Sequence, residues 1–129
     1  MIQIAAVALG GAIGAVLRYL TGLAAIKLFD KPQVYTGTLI ANVSGCLMAG
    51  ILLAFFTLFD GVPGSIVLLL TVGILGSYTT FSTFALEGSK LINGPFSKLA
   101  LYFFWQIAGA FLAFVAGHEI VLLISRLSE

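Results

Sequence analysis

Two long stretches of this chain carry no charged side chain, and they limit the fold more than any other feature. Residues 32–59 and 61–86 contain no Asp, Glu, Lys or Arg. A helix of about 20 apolar residues crosses the roughly 30 Å hydrocarbon core of a bilayer, so each stretch is long enough to span a membrane. In lipid the backbone must satisfy its own hydrogen bonds, which favours helices. The sequence therefore predicts an all-α membrane protein.

The composition excludes several classes of protein. Of the 129 residues, 60% are hydrophobic and 9% are charged, whereas soluble domains carry about 25% charged residues. The net charge of +1 comes without a cluster of Lys or Arg, which argues against nucleic acid as a partner. No nucleophile–base pair or metal-ligand set is evident, so we do not expect an enzyme. The lone Cys46 lies in an apolar stretch and is interpreted as a packing residue.

Charged and helix-breaking residues divide the chain into four spans. Asp30, Lys31 and Pro32 mark the first turn, and residues 60–64 and 93–95 mark the other two. Since no basic region precedes the hydrophobic amino terminus, we interpret it as a retained first span rather than a signal peptide. We predict one transmembrane domain over residues 1–129, with helices that alternate in direction. The predicted spans cover approximately residues 2–26, 34–59, 63–92 and 96–125.

A run of hydroxyl and aromatic side chains lies inside the third span, from Thr79 to Phe84, with the sequence TTFSTF. Hydroxyls at that depth need partners, so they usually face other helices, water or a polar permeant. Gly73 and Gly76 precede the run and mark the region where we expect the helix to be interrupted, near residues 76–79. A broken helix followed by hydroxyls and aromatic rings indicates an ion site.

Spacing along the third span suggests two functional faces, each with a plainer alternative. Thr79, Thr83 and Glu87 follow one another at four-residue intervals, which predicts a polar stripe from the break toward the membrane surface. Glu87 could equally extend its carboxylate to the surface from a helix end. Phe81 and Phe84 lie on an adjacent face. Their positive ring edges could attract an anion, although two Phe at this spacing are normally packing residues.

Two further polar residues lie within the first two spans. Asn42 could donate hydrogen bonds to an anion, and a role in joining helices is at least as plausible. Arg18 could neutralise an anion path, pair with a carboxylate or reach the interface. Both remain candidate site residues.

Small residues recur at the spacing of close helix contacts in the first and fourth spans. Such faces let helix backbones approach closely, either within one chain or between subunits. Packing within the chain is the preferred interpretation, because these patterns are common in apolar segments. The residues concerned are Gly10 and Gly14, and Gly109, Ala113 and Gly117.

Three segments together resemble the small bacterial fluoride channels called Fluc or CrcB, over essentially the whole chain. Residues 10–19, GGAIGAVLRY, are similar to the family's first-helix signature. Residues 37–45, GTLIANVSG, resemble its second-helix motif. Residues 76–84, followed by Glu87, resemble its third helix and form the most specific match.

The resemblance implies a fluoride-selective channel in the bacterial inner membrane, built as an antiparallel dimer with two pores along the subunit interface. Phe81 and Phe84 would flank the permeating fluoride, and Asn42 would donate to it. Carbonyls of Gly76 and Thr79 from both subunits would hold a structural sodium ion that is not transported. The remaining residues of the polar route would be Thr80, Ser82, Thr83, Glu87 and Tyr102, with Arg18 in a structural or electrostatic role.

The fourth span departs from the family pattern. Members often carry hydroxyls there that face the pore, whereas Ala110 and Phe114 stand at the matching positions of this chain. Tyr102 and Gln106 are the polar candidates on this span. The pore formed by this chain's own fourth helix therefore lacks the usual hydroxyls.

Two other functions compete with a fluoride channel. A small proton-coupled drug antiporter can also have four short helices, but it needs a carboxylate deep in a span, typically the first. The first span of this chain has Arg18 as its ionisable group. A non-conducting partner subunit of a heteromeric channel would tolerate substitutions in the run from Thr79 to Phe84.

The basic residues predict a preferred orientation in the membrane. The first and third turns lie on one side and carry Lys27, Lys31, Lys90 and Lys98, whereas the other side carries Arg126. The positive-inside rule then places both termini outside. The antiparallel second subunit is accordingly either a second copy of this chain or an oppositely inserted relative.

Overall fold

The computed structural model describes residues 1–29 and 36–128. Within these residues the chain is entirely helical apart from its turns, and four helices are long and apolar enough to cross a membrane. The predicted all-α membrane fold is therefore confirmed. The first turn, predicted at Asp30, Lys31 and Pro32, lies outside the described residues.

The third and fourth spans contain irregular helix, whereas the first two are regular. A π-helical segment interrupts each of the last two spans, and such wide turns often occur near functional sites. The third span is further divided by a two-residue break into α3 and α4. The helices are α1 (Ile2–Leu28), α2 (Gly37–Leu58), α3 (Gly64–Leu68, the π-helical Leu69–Leu75, and Gly76–Tyr78), α4 (Phe81–Leu91) and α5 (Phe96–Phe104, the π-helical Trp105–Gly109, and Ala110–Leu127).

Local sequence explains where the helices begin. The Thr36 hydroxyl accepts the amide of Leu39 at 3.2 Å and caps α2. Pro63 and Pro95 directly precede α3 and α5. A backbone N–H at this position has no partner within the helix, so the N–H that proline lacks costs no hydrogen bond. The turn before α3 has Gly61 at φ +91°, a conformation that side chains with a Cβ rarely adopt.

The break in the third span is the main irregularity of the fold. Thr79 and Thr80 have extended backbones, with φ/ψ of −82°/158° and −152°/122°. The prediction of a third helix broken near residues 76–79 is confirmed, although Gly73 and Gly76 do not themselves bracket the break. Both glycines are helical, and the chain leaves the helix three residues after Gly76 because Thr80 begins a new helix as its N-cap.

The predicted small-residue faces pack helices within the chain. Gly10 and Gly14 of α1 are buried against the α3 backbone, where Gly73 directly faces Gly10. Gly117 of α5 lies against the Leu47 carbonyl of α2. These contacts confirm the preferred interpretation and hold α1 on α3 and α2 on α5.

The contact of α1 with α3 provides a matched test of this packing. A Cβ on Gly14 would collide with the carbonyl group of Ile74, whereas a Cβ on Gly22 of the same helix would meet nothing within 4 Å. We expect Gly14→Ala to lower the free energy of unfolding by about 1–3 kcal/mol, because the backbone of α3 must move. Gly22→Ala should leave it unchanged or raise it by about 0.5–1 kcal/mol. Thermal unfolding in detergent would measure both, and equal stabilities would contradict the packing described.

Candidate functional site

The side chain of Asn42 holds the helix break in place. Its Oδ1 accepts the backbone N–H of Thr80 at 2.8 Å, and its Nδ2 donates to the carbonyl of the same residue at 3.1 Å. One amide side chain thus satisfies both backbone groups of an extended residue inside a membrane span. Asn42 therefore joins helices, which is one of the two roles that the sequence left open for it.

The break leaves the backbone carbonyls of residues 76–79 without their helical donors. In a continuous helix the N–H of Thr80 would bond to the carbonyl of Gly76, but it donates to Asn42 instead. The N–H of Thr83 would bond to the carbonyl of Thr79, but it donates to the Thr80 hydroxyl at 3.3 Å. The carbonyls of Gly76 and Thr79, which were predicted to bind sodium, are among those freed.

Arg18 lies beside the break. Its Nη1 donates to the carbonyl of Thr79 at 3.5 Å, a long contact that joins α1 to the third span. Among the described residues, its guanidinium makes no ion pair with Glu87. The positive charge of Arg18 is therefore present at the break without being neutralised by the nearby carboxylate.

Glu87 is held by hydroxyls from two other helices. Its carboxylate accepts from Thr36 Oγ1 and Thr38 Oγ1, both at 2.8 Å, and from the Tyr102 hydroxyl at 2.6 Å. The carboxylate of Glu87 is therefore directed toward α2 and α5 rather than away from the bundle. Three charge-assisted hydrogen bonds disperse its negative charge within the protein.

The hydroxyls at the start of α4 form one cluster around Thr80. Its Oγ1 lies 3.2 Å from Ser82 Oγ and 3.1 Å from Thr83 Oγ1. The predicted polar stripe thus starts at Thr80 rather than Thr79. Thr79 lies before the helix, where its hydroxyl donates to the Leu75 carbonyl at 2.9 Å.

A chain of hydrogen bonds crosses three helices from Glu87 to the break. The hydroxyl of Tyr102, which is fully buried, donates to Glu87 and accepts from Gln106 Nε2 at 3.2 Å. The other end of the Gln106 amide, Oε1, accepts from Asn42 Nδ2 at 3.0 Å. The sequence analysis placed Tyr102 on the expected polar route and marked Gln106 as a polar candidate, without linking the two. A polar side chain within an apolar span must find partners, and that principle could have indicated their involvement.

The rings of Phe81 and Phe84 meet at an angle, with centroids 5.5 Å apart and planes inclined by 65°. Phe84 also stacks on Tyr102 at 5.8 Å and meets Phe103 edge-on at 5.0 Å. Phe81 is 78% exposed and contributes little to packing within the chain. Phe81 therefore has no evident structural role in its own subunit.

Two clefts meet at Thr80. One, of about 370 Å³, is lined by Arg18, Thr83 and Glu87 among others, and the second, of about 330 Å³, is lined on one side by Phe81 and Phe84. Thr80 lines both. The break thus lies between a cleft with charged walls and a cleft with aromatic walls. The second cleft is also lined by Asn42, Cys46, Thr79, Gln106, Ile107 and Ala110.

A second cluster of hydroxyl side chains lies on the other face of the break, and the sequence analysis did not identify it. The Tyr78 hydroxyl lies 2.8 Å from Ser44 Oγ and 3.2 Å from Thr21 Oγ1. These three residues join α1, α2 and the last turn of α3 immediately before the break. The break is therefore supported by hydrogen bonds on both sides.

The donor set suits a hard cation and lacks the ligands of a transition metal. No group of three or more His, Cys, Asp or Glu that could hold a metal ion occurs in the described residues. Backbone carbonyl oxygens are ligands that hard cations accept, and an interrupted helix is what exposes them inside a membrane. The carbonyls of Gly76 and Thr79, which lack their helical donors, are therefore of the chemical type that binds a sodium ion, and the Thr79 carbonyl also accepts the long contact from Arg18.

The chain matches a known protein family and named relatives over most of its length. The family model described as "CrcB-like protein, Camphor Resistance (CrcB)" matches residues 5–118. A protein of Nitrobacter winogradskyi named "Fluoride-specific ion channel FluC" is 41% identical over 119 residues, which cover 92% of this chain and 94% of that protein. A protein of the same name from Methylobacterium sp. (strain 4-46) is 39% identical over 127 residues, or 98% of each chain.

Proposed function

Because the chain belongs to the CrcB-like family, we propose that it is a fluoride-specific ion channel through which fluoride leaves the bacterial cytoplasm down its gradient. The two relatives described above, which carry this name, each match more than nine-tenths of the chain. The observation that carries the proposal is the broken third span, which Asn42 holds open between a charged and an aromatic cleft. The protein crosses the membrane several times and is not an enzyme.

The geometry supplies what a small, strongly hydrated anion needs in place of its water. Fluoride would enter the cleft beside Arg18, whose positive charge attracts an anion. It would then pass the hydroxyls of Thr80, Ser82 and Thr83, which can turn their hydrogens toward it. Glu87 does not repel it strongly, because three hydroxyls hold the carboxylate.

The aromatic cleft supports selectivity. The edges of Phe81 and Phe84 carry partial positive charge and offer an anion attraction without a hydrogen bond. Asn42 lines the same cleft and would donate an N–H to fluoride when the anion displaces one of its present acceptors. A channel needs no redox or nucleophilic group, which agrees with the chemistry of these residues.

A second subunit completes the proposed channel. An apolar groove of about 630 Å³ runs beside the break and includes Gly76, Thr79, Cys46 and Phe114. Carbonyls without partners are unfavourable against lipid, so a covered groove is more stable than a bare one. An antiparallel partner seated there would bring a second pair of freed carbonyls to the same place, where they would hold the structural sodium ion.

The identity of the partner follows from the distribution of Lys residues. Lys27, Lys90 and Lys98 lie near one end of the helix bundle and Arg126 near the other. We propose a preferred orientation and therefore a heterodimer with an oppositely inserted relative, with a homodimer as the alternative. A partner with fourth-helix hydroxyls would also compensate for Ala110 and Phe114. Reporter fusions at the carboxyl terminus would decide, since equal signals from both sides of the membrane favour the homodimer.

The proposed sodium site predicts dependence on that ion. Exchanging sodium for N-methyl-D-glucamine during purification and reconstitution should abolish fluoride efflux and lower the melting temperature, because four freed carbonyls would then face one another. Restoring sodium should restore both. If efflux and stability are unchanged after sodium is verified to be absent, the site does not exist.

Growth in fluoride tests the proposed function in cells. A bacterial strain without its own fluoride exporter should regain growth in fluoride medium when it expresses this chain, together with its oppositely inserted relative where one is required. The empty vector is the control. Failure of the membrane-inserted protein to protect would contradict the proposal.

A further inference from the structure

Gln106 is a buried polar residue whose amide has one possible orientation. It lies in the π-helical segment of α5 and is 6% exposed. Tyr102 gives its hydroxyl hydrogen to Glu87, a carboxylate that only accepts when ionised, so the Tyr102 oxygen requires a donor. Gln106 Nε2 is that donor, which turns Gln106 Oε1 toward Asn42.

The orientation of Asn42 is fixed independently. Thr80 presents a donor N–H and an acceptor carbonyl, which match Oδ1 and Nδ2 of Asn42 in one arrangement only. The second hydrogen of Nδ2 therefore points at Gln106. The hydrogen bonds at Tyr102 and at Asn42 therefore both require the side-chain oxygen of Gln106 to face Asn42.

This arrangement uses every hydrogen of the Asn42 amide. One goes to the Thr80 carbonyl at 3.1 Å and the other to Gln106 Oε1 at 3.0 Å. An anion in the aromatic cleft finds no free N–H on Asn42. To bind there it must replace the oxygen of Gln106, which lines the same cleft.

We propose that the side-chain oxygen of Gln106 competes with the permeating anion for an N–H of Asn42. This competition sets how tightly fluoride binds at Asn42. The inference rests on the proposed function, in which Asn42 donates to fluoride. Gln106 acts through Asn42 and is a positioning residue. The Glu87–Tyr102 pair strengthens the competition by holding the Gln106 oxygen in place.

The test replaces Gln106 and measures affinity apart from maximal rate. Gln106→Met keeps the length of the side chain without an acceptor, and Gln106→Ser removes most of it. Gln3→Met is the matched control, because Gln3 is exposed near the start of α1. Each variant would be reconstituted in liposomes, and initial efflux rates would be measured with a fluoride electrode over a series of internal fluoride concentrations.

We expect both Gln106 variants to reach half-maximal efflux at a fluoride concentration about fivefold lower than wild type, the factor equivalent to one neutral hydrogen bond. Added fluoride should also raise their melting temperature more than that of wild type, because fluoride would satisfy the released N–H. Gln3→Met should match wild type in both measurements. A residue that merely supports the fold would not produce fluoride-dependent stabilisation.

The outcomes separate the two proposals. An unchanged or higher half-saturating concentration in conducting variants would overturn the role of Gln106 and leave the channel function intact. If neither Gln106 variant folds, the residue is structural and the inference is overturned. If the wild-type protein itself passes no fluoride, the proposed function fails and the inference fails with it.

Discussion

Asn42→Leu is expected to reduce fluoride efflux at least about 100-fold, the largest effect of any single substitution proposed here. Leucine is branched at Cγ like asparagine, although it is larger, and it makes none of the hydrogen bonds of asparagine. The variant would leave the N–H and the carbonyl of Thr80 without partners inside the membrane, each at about 1–3 kcal/mol. The chain could recover by continuing the helix through Thr80, which would remove the break and hide the carbonyl of Gly76.

Asn93→Leu is the matched control for that substitution. Asn93 lies exposed in the turn between α4 and α5, so the same chemical change occurs outside the membrane. Its efflux should equal that of wild type. Efflux and melting temperature would be measured on both variants after gel filtration. Wild-type efflux from Asn42→Leu would show that fluoride passage needs neither the two hydrogen bonds between Asn42 and Thr80 nor an amide donor.

Phe81→Ile and Phe84→Ile are each expected to lower fluoride efflux by about 10- to 100-fold. Isoleucine keeps an apolar side chain but has no positive ring edge, so the anion loses its attraction in the aromatic cleft. The two variants should differ in stability. Phe84 packs on Tyr102 and Phe103, so its replacement should lower the melting temperature, whereas the 78% exposed Phe81 should have little effect within its own subunit.

Phe81→Ile is therefore the more informative of the two variants. Phe111→Ile, at a position 67% exposed on α5, controls for the loss of a ring at the surface. Fluoride-electrode recordings from liposomes would compare all three with wild type. Wild-type efflux from both Phe81→Ile and Phe84→Ile would assign these rings to packing.

The membrane fold could be predicted from the sequence because charged residues are excluded from the hydrocarbon core. Four apolar spans followed directly from the positions of charged and helix-breaking residues. The break was predicted near residues 76–79 from the glycines before it, but the glycines are not what causes it. Gly73 serves the contact with Gly10, whereas the break is set by Asn42 on another helix and by the capping hydroxyl of Thr80.

The site could be predicted only in part, because its geometry depends on contacts between helices. The spacing of Thr83 and Glu87 placed them on one face correctly. It could not show that Thr36, Thr38 and Tyr102 hold Glu87, since these residues are distant in the sequence. Composition likewise marked Gln106 as polar but could not reveal that it faces Asn42.

The glycine pair of the first span also shows how far the sequence alone can predict a helix contact. The spacing of Gly10 and Gly14 predicted a close helix contact, and the structure contains one. The sequence left open whether the contacted helix belongs to the same chain or to a partner. The α3 backbone occupies that face, so the second subunit that we propose would use another surface, namely the groove beside Gly76.

Paired halide measurements on the purified protein test the central claim most directly. Liposomes loaded with equal fluoride and chloride, and given a potassium ionophore to balance charge, would be followed with electrodes for each ion. We predict rapid loss of fluoride with little loss of chloride, and no loss of either from liposomes without protein. Equal rates for the two halides, or no fluoride release from correctly reconstituted protein, would contradict the account.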